Sequence, residues 1–375
     1  TETRLIEIQS RWSIDWLSNG GDLKIESIGV SDFERTITST PAPLFSDVTA
    51  SIIGGNDCFQ SQLSFGLNHW MERLPVRAML NRFGTPGLAI GDVNGDGLDD
   101  LYLCQEPGLP NRLFLQNADG TAREAAREWG VDWIDDSRSA LLVDLDNDGD
   151  QDLVVATVAL LLVLENNGKA TFSLRGGIPG MSNPQSLSAA DYDGDGDLDL
   201  FVCNYGTDSS AGGLRGSTTG LPLPFNDAEN GGRNALLKNV GKLQFSDATS
   251  TAGIARGGDR WSFAASWEDY DNDGDQDLYV ANDFGRNNLF RNDAGQFTDV
   301  AGVASVEDIS SGMSVAWGDA NRDGRMDLYV SNMFSSAGGR VAFQRQFGKG
   351  NPGATADFQR MARGNTLFLG NDNGK

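Results

Sequence analysis

Five copies of one acidic nine-residue pattern constrain the fold of this chain more than any other feature. The pattern is Asp-x-Asp/Asn-x-Asp-Gly-x-x-Asp, and its copies open at Asp92, Asp144, Asp191, Asp269 and Asp319. Successive openings are 52, 47, 78 and 50 residues apart. A spacing of about 50 residues is typical of the blades of a β-propeller. The sequence therefore predicts a repeat architecture in which one interval carries a long insertion.

Short strand-like segments surround each acidic loop. One apolar segment precedes the loop, and an alternating segment such as Asp-Leu-Tyr-Val-Ala281 follows it. A third segment has the form seen at Asn287–Asn292, and a fourth carries Phe-Ser/Thr-Asp, as at Phe297–Val300. Four antiparallel strands per repeat form a propeller blade. We therefore predict an all-β fold, a β-propeller with about five four-stranded blades present and Asp-rich loops that bind calcium.

The two ends of the chain depart from the regular repeat. Phe45-Ser-Asp-Val-Thr49 has the fourth-strand pattern without an acidic loop before it, so we expect residues 44–49 to be a ring-closing strand. The fifth repeat reaches only its third strand, near Leu367. We therefore expect a propeller over residues 44–375 that is incomplete at its C-terminal end, with about seven blades in the full ring. Residues 1–43 have no chemical motif and stay unassigned.

The oxygen atoms of each loop match the needs of a hard cation. Side-chain oxygens at positions 1, 3, 5 and 9, with Gly at position 6 and a backbone carbonyl at position 7, can surround Ca²⁺. Without a cation, the crowded carboxylates would repel one another by about 1 kcal/mol or more per pair. The absence of soft ligands disfavours zinc and copper, and Mg²⁺ keeps its water shell, which leaves Mn²⁺ as the weaker competitor.

We therefore predict about five calcium ions, one in each loop. Asn at position 3 makes the prediction weaker for the first and fifth loops than for the other three. The predicted ligands are Asp92, Asn94, Asp96 and Asp100; Asp144, Asp146, Asp148 and Asp152; Asp191, Asp193, Asp195 and Asp199; Asp269, Asp271, Asp273 and Asp277; and Asp319, Asn321, Asp323 and Asp327.

Composition narrows the classes of partner. The chain has 53 Asp and Glu against 29 Lys and Arg, which argues against nucleic acid or an anionic membrane surface. The longest apolar stretch, Leu153–Leu164, is too short to span a bilayer and is interpreted as two buried strands. Cys58, Cys104 and Cys203 allow at most one disulfide. The last two stand where other repeats have Ala or Ser, which predicts small buried thiols without a redox or metal role.

The five loops, the Asn-x-Leu-Phe segments and the stretch Tyr329–Gly338 leading to Ala362–Asn365 resemble FG-GAP/VCBS repeats. Such repeats build integrin α-chain propellers, and the resemblance is closer to the cartilage acidic protein-like family. It covers residues 45–375 and implies a secreted, periplasmic or surface-displayed calcium-binding propeller used in adhesion or ligand display. It names no ligand. Loops of this kind outside the cell often bind at roughly 0.1 to 1 mM Ca²⁺, which also favours export.

Two insertions interrupt the repeat at Gly206–Gly232 and Met333–Arg363, where rim loops can form a recognition surface. We predict a protein or glycan ligand at such a rim. The second insertion offers a site for a carboxylate, a sulfate or a glycan, although its basic residues can instead pair with the acidic surface of their own propeller. These residues are Arg340, Arg345, Lys349, Arg360 and Arg363, against the single acid Asp357.

Catalysis is the rival class of function, because propellers also host enzymes that act on polysaccharides. His69 is the only histidine and lies outside the repeats, with no nucleophile motif beside it. Nearly all the regular aspartates are assigned to calcium, so a carboxylate pair for glycoside chemistry is not evident. We therefore predict a non-enzymatic binding module. The alternatives are a polysaccharide-directed enzyme and a purely structural assembly subunit, and exposed aromatic side chains at one rim would favour the binding module over the latter.

Overall fold

A computed structural model of the chain describes residues 3–19, 22–40, 45–73, 87–158, 160–181, 183–206, 222–255, 259–344, 347 and 350–371. The chain divides into two units, Thr1–Ile52 and Ile53–Lys375. The first unit contains strands β1 (Thr3–Asn19) and β2 (Asp22–Thr40), which form a two-stranded antiparallel sheet. Nonpolar residues face one another across this sheet, for example Trp12 opposite Val30, and both side chains are exposed.

The sequence predicts a ring-closing strand at residues 44–49, of which residue 44 lies outside the described residues. Residues 45–48 have no regular secondary structure, and helix α1 (Thr49–Ile53) begins directly after them. Phe45 is 91% exposed. Asp47 Oδ1 accepts a hydrogen bond from the Thr49 N–H at 3.0 Å, as Asp247 does from Thr249 at 2.9 Å at the end of a fourth strand. The local geometry of a fourth-strand end is therefore present, whereas ring closure and the total of seven blades stay predictions.

The second unit is a β-propeller of five consecutive antiparallel sheets, which confirms the predicted fold class. Four sheets have four strands, and the fifth has three within the described residues. Blade 1 contains β3 (Leu88–Gly91), β4 (Asp100–Leu103), β5 (Arg112–Gln116) and β6 (Ala122–Glu124); blade 2 contains β7 (Ser137–Val143), β8 (Asp152–Thr157), β9 (Leu160–Asn166) and β10 (Phe172–Pro179); blade 3 contains β11 (Pro184–Ala190), β12 (Asp199–Asn204), β13 (Ala235–Asn239) and β14 (Phe245–Asp247); blade 4 contains β15 (Trp261–Glu268), β16 (Asp277–Asp283), β17 (Asn288–Asp293) and β18 (Gln296–Asp299); blade 5 contains β19 (Gly312–Gly318), β20 (Asp327–Asn332) and β21 (Thr366–Phe368).

The hydrophobic core lies between neighbouring blades. The first strands of successive blades contact one another, and the second strands β8, β12 and β16 are buried along their whole length. Val154 of blade 2 shares a core cluster with Val202 of blade 3, and Phe201 of blade 3 shares one with Val280 of blade 4. Each fully buried side chain of this size contributes about 1.5 to 3 kcal/mol. Stacked blades therefore bury what a single blade would leave exposed.

All three cysteines are free and buried, which for Cys104 and Cys203 agrees with the prediction of small buried thiols. Cys104 and Cys203 are fully buried at the ends of second strands, where Ala156 and Ala281 stand in other blades. Burial raises the pKa of both thiols to about 12. The thiolate, which is the reactive form, is therefore scarce at neutral pH.

Short helical segments lie between the strands and in the second insertion. A π-helical turn at Phe59–Leu63 and helix α2 (Leu67–Met71) precede blade 1, and α3 (Ala301–Ala304) follows blade 4. The second insertion contains α4 (Ser336–Ala342) and α5 (Pro352–Met361). Ser335 caps α4 by accepting from the Gly338 N–H, and Asn351 caps α5 by accepting from the Ala354 N–H. Both residue types are strongly preferred at this position.

A cavity of about 670 Å³ lies between blades 4 and 5, lined in part by Val300, Val303 and Leu369. In blades 2 and 4, the corresponding place is taken by the fourth strand. Phe172 of β10 and Phe297 of β18 each donate a backbone hydrogen bond to the segment that follows the fourth strand of the preceding blade. The cavity therefore marks the position that a fourth strand takes in the other blades.

Candidate metal centres

The acidic loops connect the first and second strands of each blade and share one backbone geometry. The position-1 aspartate accepts a hydrogen bond from the N–H of the position-6 glycine in all five loops, at 2.8 to 3.0 Å. Each of these glycines has a positive φ, between 84° and 98°. Residues with a side chain adopt that region at a cost, so glycine is required for the turn.

The aspartate at position 9 is almost completely buried and ties the loop to the third strand. Its Oδ2 accepts from the N–H at position 2 of its own loop, at 2.9 to 3.3 Å. Its Oδ1 accepts from an N–H at the end of the third strand or just beyond it, at 2.7 to 2.9 Å. These bonds are repeated in every blade. Position 9 is therefore a structural residue as well as a predicted ligand.

A second repeated contact joins the loops of neighbouring blades. Asn166, Asn239 and Asn292 close the third strands of blades 2, 3 and 4. Each donates from Nδ2 to the position-2 carbonyl of the preceding blade's loop at 2.8 Å, and to the position-8 carbonyl of its own loop at 3.0 to 3.2 Å. We call these three residues the interblade asparagines. Hydrogen bonds therefore run continuously from the loop of blade 1 to the loop of blade 4.

In three of the loops, carboxylate oxygens lie close enough together for each loop to hold one ion. In each group, one oxygen from each of three aspartates lies within 4.8 Å of the others. The groups are Asp144, Asp146 and Asp152 in blade 2; Asp191, Asp193 and Asp199 in blade 3; and Asp269, Asp271 and Asp273 in blade 4. The groups fall in the three loops for which the sequence made the strongest prediction. Clusters of three oxygens suit a hard cation such as Ca²⁺.

Unpaired oxygens in these loops also fit a bound cation. Oδ1 of the position-3 aspartates Asp146, Asp193 and Asp271 is buried without a hydrogen-bond partner, as is Oδ1 of Asp144. A buried acceptor without a partner is costly, and a carboxylate more so. Burial, followed by repulsion from neighbouring aspartates, raises the pKa of Asp146 and Asp271. A divalent cation coordinated by these oxygens would remove both penalties.

In the acidic loops of blades 1 and 5, the carboxylate groups are less concentrated. No group of three carboxylates comes together there among the described residues. Asn94 and Asn321 stand at position 3, and each accepts from the N–H of the position-5 aspartate at 2.9 Å. In blade 5, Asp323 also pairs with Arg325 of the same loop. The predicted ligands Asp92, Asp96, Asp100, Asp319 and Asp327 therefore lie in formed loops without a three-carboxylate cluster.

Position-5 aspartates are used differently from one blade to the next. Asp273 joins the cluster of blade 4, whereas Asp148 and Asp195 lie outside the clusters of blades 2 and 3. Asp148 Oδ1 accepts from the Asp150 N–H at 2.9 Å. Asp277, at position 9 of blade 4, is also outside its cluster and is held by the two backbone bonds typical of that position.

The blade 3 loop contains a basic side chain that the sequence patterns did not single out. Lys238 of β13 pairs with both Asp193 and Asp195. The hydrogen bond from the Asp197 N–H, followed by that from Lys238, lowers the pKa of Asp195. The third strand brings Lys238 to the loop because β13 pairs with β12, which begins at Asp199. The pairing register of β12 and β13 identifies Lys238 as a loop contact, and the sequence patterns do not give this register.

The two insertions, which are far apart in sequence, meet in the structure. The ring of Phe225 lies 6.0 Å from that of Phe358 on α5 and 4.8 Å from that of Phe284 in blade 4. Asn226 Nδ2 donates to Asp357 Oδ2 at 2.8 Å. The described parts of both insertions therefore form one surface beside blade 4, which we call the insertion surface.

The basic residues of the second insertion have different environments. Arg360 pairs with the buried Asp308 and donates to Thr366, so its contacts are with its own propeller. Arg340 and Arg363 are exposed, and Arg345 and Lys349 lie outside the described residues. Phe334 and Phe343 are 71% and 60% exposed on the same insertion. These exposed rings match the feature expected of a binding module.

The environment of His69 is aromatic. Its ring stacks on Phe65 with centroids 3.9 Å apart and meets the edge of Trp70 at 4.9 Å.

Within the described residues, no helix is long and apolar enough to cross a membrane.

Comparison with known proteins supports the repeat assignment. Residues 92–155, 156–202 and 269–330 match the FG-GAP-like repeat family. Cartilage acidic protein 1 of Xenopus tropicalis is 32% identical over 133 residues, which is 33% of this chain and 20% of that protein. The Homo sapiens protein is 30% identical over 135 residues, 34% of this chain and 20% of that protein. The matched region thus spans about a fifth of these curated relatives.

Solved structures with similar arrangements include two proteins with low sequence identity. The V. cholerae biofilm matrix protein Bap1 has a TM-score of 0.37 and 14% identity over 66% of this chain and 35% of that chain. A lectin from Agrocybe aegerita that recognises non-reducing terminal N-acetylglucosamine has a TM-score of 0.39 and 17% identity over 75% of this chain and 70% of that chain.

Proposed function

Because this chain carries FG-GAP-like repeats and is homologous to cartilage acidic protein 1, we propose that it is a calcium-binding extracellular propeller that presents a ligand-binding surface. The proposal that the chain binds calcium rests on the buried position-3 oxygens of three successive blades, which have no hydrogen-bond partner. Each lies in a cluster of three carboxylates. Ca²⁺ bound there supplies positive charge and fixes the loop at the end of each blade.

Localisation follows from the same chemistry. Extracellular calcium modules bind at about 10⁻⁴ to 10⁻³ M, a concentration available outside the cell and not in the cytosol. Homology to proteins named for cartilage, a tissue rich in extracellular matrix, supports the same compartment. The free cysteines are buried, so an oxidising environment would not readily reach them.

The test of the metal function compares variants of one loop. Asp146→Asn removes the position-3 charge in blade 2, and Asp119→Asn makes the same change in an exposed turn of blade 1 outside the loops. Thermal melts with EDTA, Ca²⁺ or Mg²⁺ should show stabilisation by Ca²⁺ above that by Mg²⁺ in the parent chain. Asp146→Asn should reduce the calcium-dependent rise, and Asp119→Asn should leave it unchanged. Equal responses of the two variants would contradict the assignment.

The ligand-binding part rests on the insertion surface. Its exposed rings and the exposed Arg340 and Arg363, for which no salt bridge is found within the described residues, lie on a chain with a formal net charge of −24, which does not need them for solubility. Aromatic rings and arginines together suit acidic glycans, since rings stack on sugars and guanidinium groups bind carboxylates or sulfates in a bidentate manner. We infer an acidic glycan as the ligand class, with an acidic protein segment as the alternative.

Binding to immobilised heparin tests this ligand class against a neutral polysaccharide as control. The double variant Arg340→Ala with Arg363→Ala should weaken heparin binding about tenfold or more, since each charged contact contributes about 1 kcal/mol. Arg127→Ala with Lys242→Ala removes two exposed charges elsewhere on the propeller and should leave binding unchanged. Equal losses in both double variants would show only nonspecific charge attraction and would overturn the site.

A further inference from the structure

Lys238 reaches from β13 into the acidic loop of blade 3. Its Nζ contacts Oδ2 of Asp193 at position 3 and lies 3.0 Å from Oδ2 of Asp195 at position 5. Both aspartates are predicted calcium ligands, and Asp193 also belongs to the carboxylate cluster. The ammonium group therefore neutralises the same charges that a calcium ion would neutralise.

The equivalent residues of the other blades do not pair with loop ligands in this way. Lys238 directly precedes the residue whose N–H binds the position-9 aspartate, and this position holds Leu115 in blade 1 and Leu369 in blade 5. In blade 2 it is Glu165, which pairs with Arg175 of β10. In blade 4 it is Arg291, which pairs with Asp293 at the end of the same strand. Among the described residues, a third-strand side chain therefore pairs with predicted ligands in blade 3 alone, whereas the Arg325 that pairs with Asp323 in blade 5 belongs to the loop itself.

We propose that Lys238 is a built-in competitor of calcium at the blade 3 loop. The inference rests on the proposed calcium function and extends it to a difference between sites. The lysine stabilises the loop while calcium is scarce, and it must withdraw to solvent before the ion can use Asp193 and Asp195. No proton or covalent bond changes in this exchange. Blade 2 has aspartates at the same four ligand positions, so its loop is the matched site without a competitor.

Removing the competitor should raise calcium affinity at one site only. Two partly exposed ion pairs of this kind predict an affinity change of about tenfold. Calorimetric titration of Ca²⁺ into the EDTA-stripped full chain should show one site about tenfold tighter in Lys238→Gln than in the parent. Adding Asp191→Asn, which disables the blade 3 loop, should abolish the difference. Lys242→Gln removes the same charge from an exposed turn of blade 3 and should change no site.

Thermal melts supply an independent readout. Lys238→Gln leaves the metal-free aspartates without their ion pairs, so its Tm in EDTA should fall, while its Tm in saturating Ca²⁺ should stay equal to that of the parent. Lys238→Met, which keeps a long nonpolar stem, should behave in the same way and serves if the glutamine variant folds poorly.

The outcomes separate this inference from the proposed function. If the parent takes up calcium and neither Lys238 variant alters the affinity of any site, the competitor role is overturned while the calcium function stands. A parent chain that takes up no calcium overturns both.

Discussion

Within each acidic loop, the aspartates at positions 3 and 9 have different surroundings and should respond differently to the same substitution. Asp199, at position 9 of blade 3, accepts backbone hydrogen bonds on both oxygens and is fully buried. Asp193, at position 3, has one buried oxygen without a partner. An amide at position 9 must direct its NH₂ group at a backbone N–H. An amide at position 3 removes repulsion between the aspartates together with the ion pair to Lys238, two changes that oppose each other.

We therefore expect Asp199→Asn to destabilise the metal-free protein by about 2 to 3 kcal/mol, the cost of a lost charged hydrogen bond with an unsatisfied donor. Asp193→Asn should change metal-free stability by less than about 1 kcal/mol and should mainly reduce the response to calcium. Chemical denaturation in EDTA and in Ca²⁺ measures both effects. Equal destabilisation by the two variants in EDTA would contradict the structural role of position 9.

Position 4 of every loop has a positive φ, and one blade fills it with an unsuitable residue. The residues are Gly95, Asn147, Gly194, Asn272 and, in blade 5, Arg322 at φ 64°. Glycine and asparagine tolerate this region, whereas other side chains pay roughly 1 kcal/mol or more. Arg322→Asn should therefore stabilise the chain by about 0.5 to 1 kcal/mol, measured by denaturation in EDTA. Asn272→Arg, the reverse change in blade 4, should have the opposite sign, and a shared sign would refute the argument.

The pH dependence of stability should change direction with calcium. Burial raises the pKa of Asp152, Asp199 and Asp277 from 3.8 to about 7. The folded metal-free protein thus binds protons more tightly than the unfolded chain. The stability that the folded state gains from this proton binding is complete below pH 4 and is lost as pH rises through 7. Calcium requires ionised ligands. Between pH 5.5 and pH 8, Tm should therefore fall in EDTA and rise in Ca²⁺; the same slope in both would contradict this.

At the scale of single residues, the sequence predicts the acidic loops better than it predicts the residues that support them. The spacing of Asp146 and its counterparts depends on local backbone geometry, which a nine-residue pattern fully encodes. Lys238 and Asn239 act across strands and across blades. Their partners are set by sheet register, and a sequence without the register does not reveal them.

At the scale of elements, the interblade asparagines hold neighbouring blades together. Asn239 is fully buried and bonds to the loop carbonyls of both Leu145 and Leu198. Asn239→Ala should leave these carbonyls without donors and cost about 2 kcal/mol. Gln244→Ala removes an exposed amide from the same blade and should cost less than about 0.5 kcal/mol. Denaturation of both variants in saturating calcium is the measurement, and equal effects would rule out the interblade role.

Blade 5 shows why this contact is not universal. Gly370 stands where the interblade asparagines stand, and a Cβ there would come within 2.5 Å of the Met326 carbonyl oxygen. The side chain is therefore excluded by close backbone approach. The junction of blades 4 and 5 also contains the 670 Å³ cavity. Within the described residues, this junction therefore lacks an interblade asparagine and a fourth strand of the following blade.

Strand prediction succeeded where the pattern was periodic. Leu153–Leu164 forms parts of two buried strands, and the predicted third strand near Leu367 is β21. Helix α5 begins at Pro352 because Asn351 caps it and proline suits the first helical position. Contact between the two insertions could not be foreseen, since Phe225 and Phe358 are separated by all of blade 4.

At the scale of the whole molecule, repetition explains both the fold and the ion sites. The blades bury their strands against their neighbours, and the interblade asparagines join the acidic loops of blades 1 to 4 to one another. Calcium bound in these loops would therefore stabilise the junctions between blades and not only the loops. The proposed ligand-binding surface would then depend on calcium through the rigidity of blades 3 to 5.

Native mass spectrometry of the EDTA-stripped chain after return to millimolar Ca²⁺ tests the central claim most directly. Three to five calcium ions should be bound to the folded chain, which fills the three clusters of blades 2, 3 and 4, and Tm should rise in parallel. Uptake of fewer than three ions, or an unchanged Tm at full uptake, would contradict it.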